Sequence, residues 1–222
     1  MYTRRALCCA GLGLPLLAAC SSDPDSDTSQ MLDILGQSFH TFASGQSITR
    51  EQAAAIPYAS IGVRIGDSSQ VLLVLESKTG GTSLWTSASR IAVELQSGRI
   101  TRTAGLEHNV SQSGPTGVDP LQSHPFAPKA AACTYVTDIP DMNTYQAVIH
   151  YEMGVTDRET VTILGTPIDT LHARETGHCP QLDWEFANEY WLDPASGLVW
   201  RSLQNIHPEL DTVEIVVLRP VA

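Results

Sequence analysis

The sequence predicts a mainly β protein, a large antiparallel curved sheet forming an open barrel or sandwich, with one or two short N-terminal helices. Three observations carry this. From Tyr58 onward, short β-branched or alternating runs are separated by Gly, Ser, Asp and Pro. Nearly all the connections between those runs fall short of the roughly dozen residues that a parallel crossover requires. Helical spacing of apolar residues is confined to the chain before Pro57.

Arg4 and Arg5 precede an apolar run, Ala6 to Leu17, far shorter than the roughly 20 residues a helix needs to cross a bilayer. The run ends in Leu17-Ala18-Ala19-Cys20. Small residues before a cysteine are the pattern of bacterial lipoproteins, in which the thiol is diacylated, the chain is cut before the cysteine and the new amine is acylated. Three acyl chains, at ~0.8 kcal/mol per buried methylene, anchor far more firmly than one. Residues 1–19 are therefore expected to be a signal peptide and Cys20 the lipid attachment site. Residues 20–29, rich in Ser and Asp, form a flexible tether, and 30–222 a single β-rich periplasmic domain. Ser21, in place of Asp, resembles the enteric sorting rule for the outer membrane. The run Thr3-Arg4-Arg5-Ala6-Leu7 carries only a fragment of a twin-arginine signal.

Met31, Leu32, Leu35, Phe39 and Phe42 recur at helical spacing, with Gly45 beyond them. Their polar face carries almost no cations, so this amphipathic helix is expected to pack on the domain and not on a membrane. Thr49 caps a second short helix that stops before Pro57. Strands are predicted at Ala59–Ile65, Gln70–Glu76, Ser83–Thr86, Arg90–Leu95 and Arg99–Thr103. Turns fall at Gly66-Asp67, Gly80-Gly81 and Ser97-Gly98. Glu107 to Lys129, with its prolines and glycines, reads as a long irregular connection. Strands resume at Cys133–Thr137, Tyr145–Met153, Glu159–Leu164, Thr170–Glu175, Asp183–Asn188, Glu189–Leu192, Leu198–Asn205 and Thr212–Leu218.

Composition excludes some partners. A formal charge of −11, made more negative when Arg4 and Arg5 leave with the signal, argues against nucleic acid and against electrostatic docking on anionic lipid. Of the 5 cysteines, Cys8 and Cys9 are in the signal and Cys20 carries lipid, leaving Cys133 and Cys179. An even pair in an oxidising periplasm is expected to form a disulfide. A metal site on Cys179 with His172 and His178 is the weaker alternative, since adjacent residues of a strand face opposite ways. No cofactor motif is present: there is no Gly-rich phosphate loop, no Gly-x-Ser-x-Gly and no His-Glu-x-x-His.

Three separated stretches resemble the YjbF/GfcB/YmcC family of bacterial outer-membrane lipoproteins, linked to group 4 capsule and exopolysaccharide production. They are Ile48 to Gln52 leading into Ile56-Pro57-Tyr58-Ala59-Ser60; Leu84 to Ser87 leading into Ser97 to Thr103; and Tyr190 to Asp193 with Gly197 to Gln204, ending at Glu214 to Pro220. They occur in the family's order over most of the chain after Cys20. The resemblance implies a lipid-anchored accessory of polysaccharide export, in the outer membrane and facing the periplasm, beside an outer-membrane partner, with no catalytic residues to carry over. The Cys133/Cys179 pair and Glu107 to Lys129 have no counterpart in that pattern.

One aromatic set invites a functional reading: Trp85, Tyr190, Trp191 and Trp200. Trp184, Phe186, Tyr190 and Leu192 share one parity, whereas Glu185, Glu189 and Trp191 share the other, which places Trp191 on the polar face of its strand. An aromatic flanked by carboxylates can stack a sugar ring, so these four are expected to contribute a glycan or partner surface; the plainer reading is that Trp191 fills a curved sheet. Asp183, Glu185, Glu189 and Asp193 supply carboxylates for a glycoside hydrolase, but acids on a solvated face are the common case. A third class is a lipid or lipoprotein carrier, a half-barrel with an apolar cavity. The expected function is that of a non-enzymatic accessory in exopolysaccharide or capsule export.

Overall fold

The computed structural model describes residues 45–122 and 131–221. The predicted signal, Cys20, the tether and the helix built on Met31 to Phe42 lie outside the described residues.

The first described element is a short helix, α1 (Arg50–Ala54). Its start is a capping box: the Gln52 N–H donates to Thr49 Oγ1 at 3.3 Å and the Thr49 N–H to Gln52 Oε1 at 2.7 Å. Twelve strands follow: β1 (Ser60–Ile65), β2 (Val71–Thr79), β3 (Thr82–Thr86), β4 (Ala92–Gln96), β5 (Arg99–Ala104), β6 (Gln112–Pro115), β7 (Ala131–Ile139), β8 (Thr144–Ile163), β9 (Thr166–Cys179), β10 (Trp184–Leu192), β11 (Val199–Gln204) and β12 (Val213–Arg219). They form one sheet in the order β5-β4-β3-β2-β1-β12-β11-β10-β9-β8-β7-β6, each strand antiparallel to the neighbours it pairs with. Two meanders are thus joined where the first strand pairs with the last. The free ends, β5 and β6, are neighbours in sequence and nearly close the barrel: the Thr103 N–H donates to Val110 O at 2.9 Å.

Local sequence explains the hairpins. Gly80-Gly81, Ser97-Gly98 and Leu164-Gly165 are two-residue turns with both residues at positive φ, the twist that suits tight hairpins. The β7–β8 and β9–β10 connections share another device. A short 3-10 turn, Pro140–Met142 or Pro180–Leu182, ends on a left-handed residue, Asn143 or Asp183, and short polar side chains tolerate that conformation best.

Where the sequence predicts two strands, Tyr145–Met153 and Glu159–Leu164, the structure has the single long β8. The suspected break is a register shift between Val155 and Asp157, a bulge that bends the strand without ending it. Asp183–Asn188 and Glu189–Leu192 likewise merge into β10, and β6 lies inside the stretch expected to be irregular.

The sheet is buried on both sides. Inward, Ile61, Val63, Leu73, Trp85, Val93, Ile100, Val213, Ile215 and Val217 form the main apolar core. Outward, Ile48, Ala53 and Ile56 pack on Leu72 and Val74, so the segment around α1 covers one face. The distal part of the β8–β9 hairpin covers another: Val161 and Ile163 pack with Trp191, Leu203 and Val216.

The expected Cys133–Cys179 disulfide is not formed; both thiols are free. The register gives the reason. Cys133 pairs with Tyr151, and Tyr151 with Gly177, so Cys179 lies two strands away and two residues further along. Two interstrand spacings are ~9.5 Å, beyond the ~7 Å Cα separation a disulfide spans.

Candidate functional site

The polar centre of the barrel is built on Arg99. The Ser97-Gly98 turn delivers it to the first position of β5, and Gly98 is required there. Its φ is +90° and an added Cβ would lie 2.5 Å from Val199 Cγ2. Gln204, on β11, holds the turn like a strand: its Nε2 donates to Gly98 O at 2.8 Å and its Oε1 accepts from the Ile100 N–H at 2.9 Å.

Arg99 is 2% exposed, and Asp119 and Glu175 not at all. Nε donates to Asp119 Oδ2 at 2.7 Å and Nη2 to Asp119 Oδ1 at 3.3 Å. Nη2 and Nη1 donate to the two Glu175 oxygens at 2.6 and 2.8 Å, and Nη1 also to Tyr190 Oη at 3.1 Å. These bonds match the five donors of a guanidinium, in forked pairs to two carboxylates. The rings of Tyr135 and Tyr151 lie 4.8 and 4.7 Å from the guanidinium carbon.

One cation faces two anions, and the second anion is offset by neutral donors. Tyr135 Oη and the Leu121 N–H donate to Asp119; Asn188 Nδ2 donates to Glu175 Oε2 at 2.9 Å. Burial alone would lower the Arg99 pKa, but Tyr190, Glu175 and Asp119 raise it well above its usual value. Burial works against the charge on Asp119 too, yet Arg99 and the donors around it hold its carboxyl below the usual range. Burial pushes the Tyr135, Tyr151 and Tyr190 hydroxyls up and the Cys133 thiol to about 12. The three tyrosine hydroxyls and the Cys133 thiol keep their protons at neutral pH. The centre therefore offers neither an activated nucleophile nor an open position for a substrate; its chemistry is that of a clamp. Asp119 and the buried Leu121 follow β6, and the clamp draws these two residues into the barrel.

The four aromatic positions expected to form a surface are placed differently. Trp85 is buried in the main core, its Nε1 donating to Ser83 Oγ at 2.8 Å. Tyr190 is part of the Arg99 centre. Trp191 does point to the outer face, as parity requires, but it is only 4% exposed. It stacks at 4.8 Å on His172, its β9 neighbour, lies 4.6 Å from the Arg201 guanidinium of β11 and donates Nε1 to Glu159 Oε2 at 2.9 Å. The β8–β9 hairpin supplies that cover, and no strand-local pattern announces it. Trp200 is half-buried beside a groove of about 320 Å³ lined also by Ala53, Leu164, Ile168, Leu218 and Pro220. No exposed aromatic patch results from these four.

The other candidates also stay apart. His178 is exposed while Cys179 is buried, and His172 is committed to the Trp191 cluster, so the three do not converge on a metal. Asp183 ends a turn, Glu185 and Glu189 face outward on β10, and Asp193 caps the loop after it, accepting from the Ala195 and Ser196 N–H groups at 2.9 and 2.6 Å. Those bonds hold the Asp193 carboxyl below the usual range. Sequence reading passed over Arg99, Asp119, Glu175 and Asn188. Glu175 had a signal: it shares strand parity with Ala173, Gly177 and Cys179, an acid among small inward residues.

Fold and centre together define a class: a nearly closed antiparallel barrel with an ion-paired interior, with no helix among the described residues long and apolar enough to cross a membrane. The chain belongs to the family described as "Group 4 capsule polysaccharide lipoprotein gfcB, YjbF", whose model matches residues 32–218. This is the family that the three sequence stretches resemble. It is 25% identical over 179 residues to "Uncharacterized lipoprotein GfcB" of Escherichia coli (strain K12), covering 78% of this chain and 82% of that one. Its fold is similar to the crystal structure of the hypothetical lipoprotein YmcC from Escherichia coli (K12), with a TM-score of 0.71 at 21% identity, over 89% of this chain and 97% of the other.

Proposed function

We propose that this protein is a non-enzymatic accessory of exopolysaccharide or group 4 capsule assembly, held by acyl chains on Cys20 at the periplasmic face of the outer membrane, where it acts beside export proteins. The observation that carries this reading is the family match over residues 32–218. The interior favours a scaffold over a lipid carrier, because the Arg99 centre fills the middle of the barrel with paired charges and tyrosines, where a lipid would need an apolar cavity. The same saturated centre supports a role without catalysis.

The test is complementation. In a host deleted for this gene, surface polysaccharide is quantified after expression of the wild-type chain and of Cys20→Ser. The expected outcome is restoration by the first alone, with the second displaced from the membrane fraction. Normal polysaccharide in the deletion strain would remove the reading. Restored polysaccharide with a lipid recovered stoichiometrically from the wild-type protein would favour the carrier.

A further inference from the structure

Three connections far apart in sequence bring polar groups together beside the β5–β6 seam. His108 comes from the β5–β6 connection, Asp141 from the turn between β7 and β8, and His207 with Glu209 from the β11–β12 connection. His108 Nδ1 lies 2.9 Å from Asp141 Oδ2 and 3.8 Å from Glu209 Oε2; His207 Nε2 lies 3.2 Å from Asp141 Oδ1. The two imidazoles stack at 4.7 Å. Donor atoms of His108, His207 and Glu209 lie within 4.8 Å of one another.

We propose that this cluster is a site for a divalent cation of borderline softness, Zn²⁺ being the natural probe, with His108, Asp141 and Glu209 as ligands and His207 orienting Asp141. Ligand atoms ~2.1 Å from a tetrahedral ion lie ~3.4 Å from one another, and the two His108 distances bracket that value. His108 Nδ1 faces one oxygen of each carboxylate; a cation bound to it displaces any proton there to solvent and meets two negative charges.

His207 is not itself a ligand in this arrangement. Its Nδ1 accepts the Glu209 N–H at 3.0 Å, which leaves the proton on Nε2 to be donated to Asp141. Hydrogen-bonded carboxylate ligands of this kind are the usual outer support of metal sites. The His207 side chain is wholly buried and so fixed in place, whereas the Glu209 side chain, 62% exposed, is free to swing the small distance needed. The bound ion would tie together the three connections flanking the seam where the ends of the sheet meet.

The experiment uses the full mature chain without a histidine tag, stripped with chelator and titrated with ZnCl₂ by calorimetry and by thermal unfolding. The expected result is one equivalent bound and a raised Tm. Glu209→Gln and His108→Ala should each weaken binding at least tenfold, and His207→Phe by ~10- to 100-fold, the range for lost outer-shell support. Glu209→Gln alters an exposed side chain and leaves the fold intact. Replacing His150 and His178, an exposed cross-strand pair on β8 and β9, by Ala should leave binding unchanged. No binding at millimolar Zn²⁺ overturns the proposal. So does binding that survives Glu209→Gln and His108→Ala, or that is lost with His150 and His178.

Discussion

Arg99→Met is the most informative single change. The substitution keeps an unbranched, largely apolar stem and removes the guanidinium with its charge, leaving Asp119 and Glu175, both fully buried, without their cation. Removing one partner of a buried ion pair costs ~3–5 kcal/mol, because the remaining charge must be kept unpaired or neutralised by a proton. Here two carboxylates lose their forked partner at once, and Tyr190 loses the donor at 3.1 Å, so the upper part of that range applies. For a domain of this size each kcal/mol moves Tm by about 2–4 °C, giving an expected fall of about 10–20 °C, against a total stability of ~5–15 kcal/mol. Thermal unfolding followed by near-ultraviolet circular dichroism measures this directly. The reasoning also requires that adding Glu175→Gln and Asp119→Asn to Arg99→Met recovers part of the loss, since uncharged partners no longer need a cation. A Tm within ~2 °C of the wild type, less than the shift expected from 1 kcal/mol, would refute the clamp.

Three further outcomes follow from the same geometry. Asp119 has its folded-state pKa depressed below the ordinary 3.8, so its contribution is complete above that value and is lost as pH falls through the folded one; urea midpoints should drop below pH 4, and Asp119→Asn should flatten that acid limb. Gly98→Ala puts a Cβ into Val199 and strains a φ of +90°, so it should destabilise by ~1–3 kcal/mol, read as a lower urea midpoint with an unchanged m value. The Cys133 and Cys179 thiols should give an intact mass with both hydrogens present and a Tm indifferent to reductant; a mass lighter by two hydrogens would restore the disulfide.

Strand β10 carries both a local and a non-local determinant. Alternation along Trp184 to Leu192 assigned every side chain to its face, because successive residues of a strand must point oppositely, and Trp191 is indeed on the outer one. Its burial is a separate matter, settled by the β8–β9 hairpin bending back after the bulge at Val155 to Asp157. A bulge is set by how a strand fits its neighbours and leaves little trace in its own residues. The turns at Gly80-Gly81 and Ser97-Gly98 were legible for the opposite reason: positive φ is a local demand, and glycine answers it locally.

The amino-acid sequence alone determined that this chain is β-rich and antiparallel, where most of its strands begin and end, and which family it belongs to. These depend on short-range periodicity, turn chemistry and stretches of shared residues. Only the tertiary structure decided that Arg99, Asp119, Glu175 and Tyr190 form one centre, that the two cysteines stand too far apart to bond, and that His108, Asp141, His207 and Glu209 share one end of the barrel. Those meetings are made by sheet order and barrel curvature, which bring together residues as distant in sequence as positions 108 and 209. Nothing in the neighbourhood of any one of them encodes the encounter.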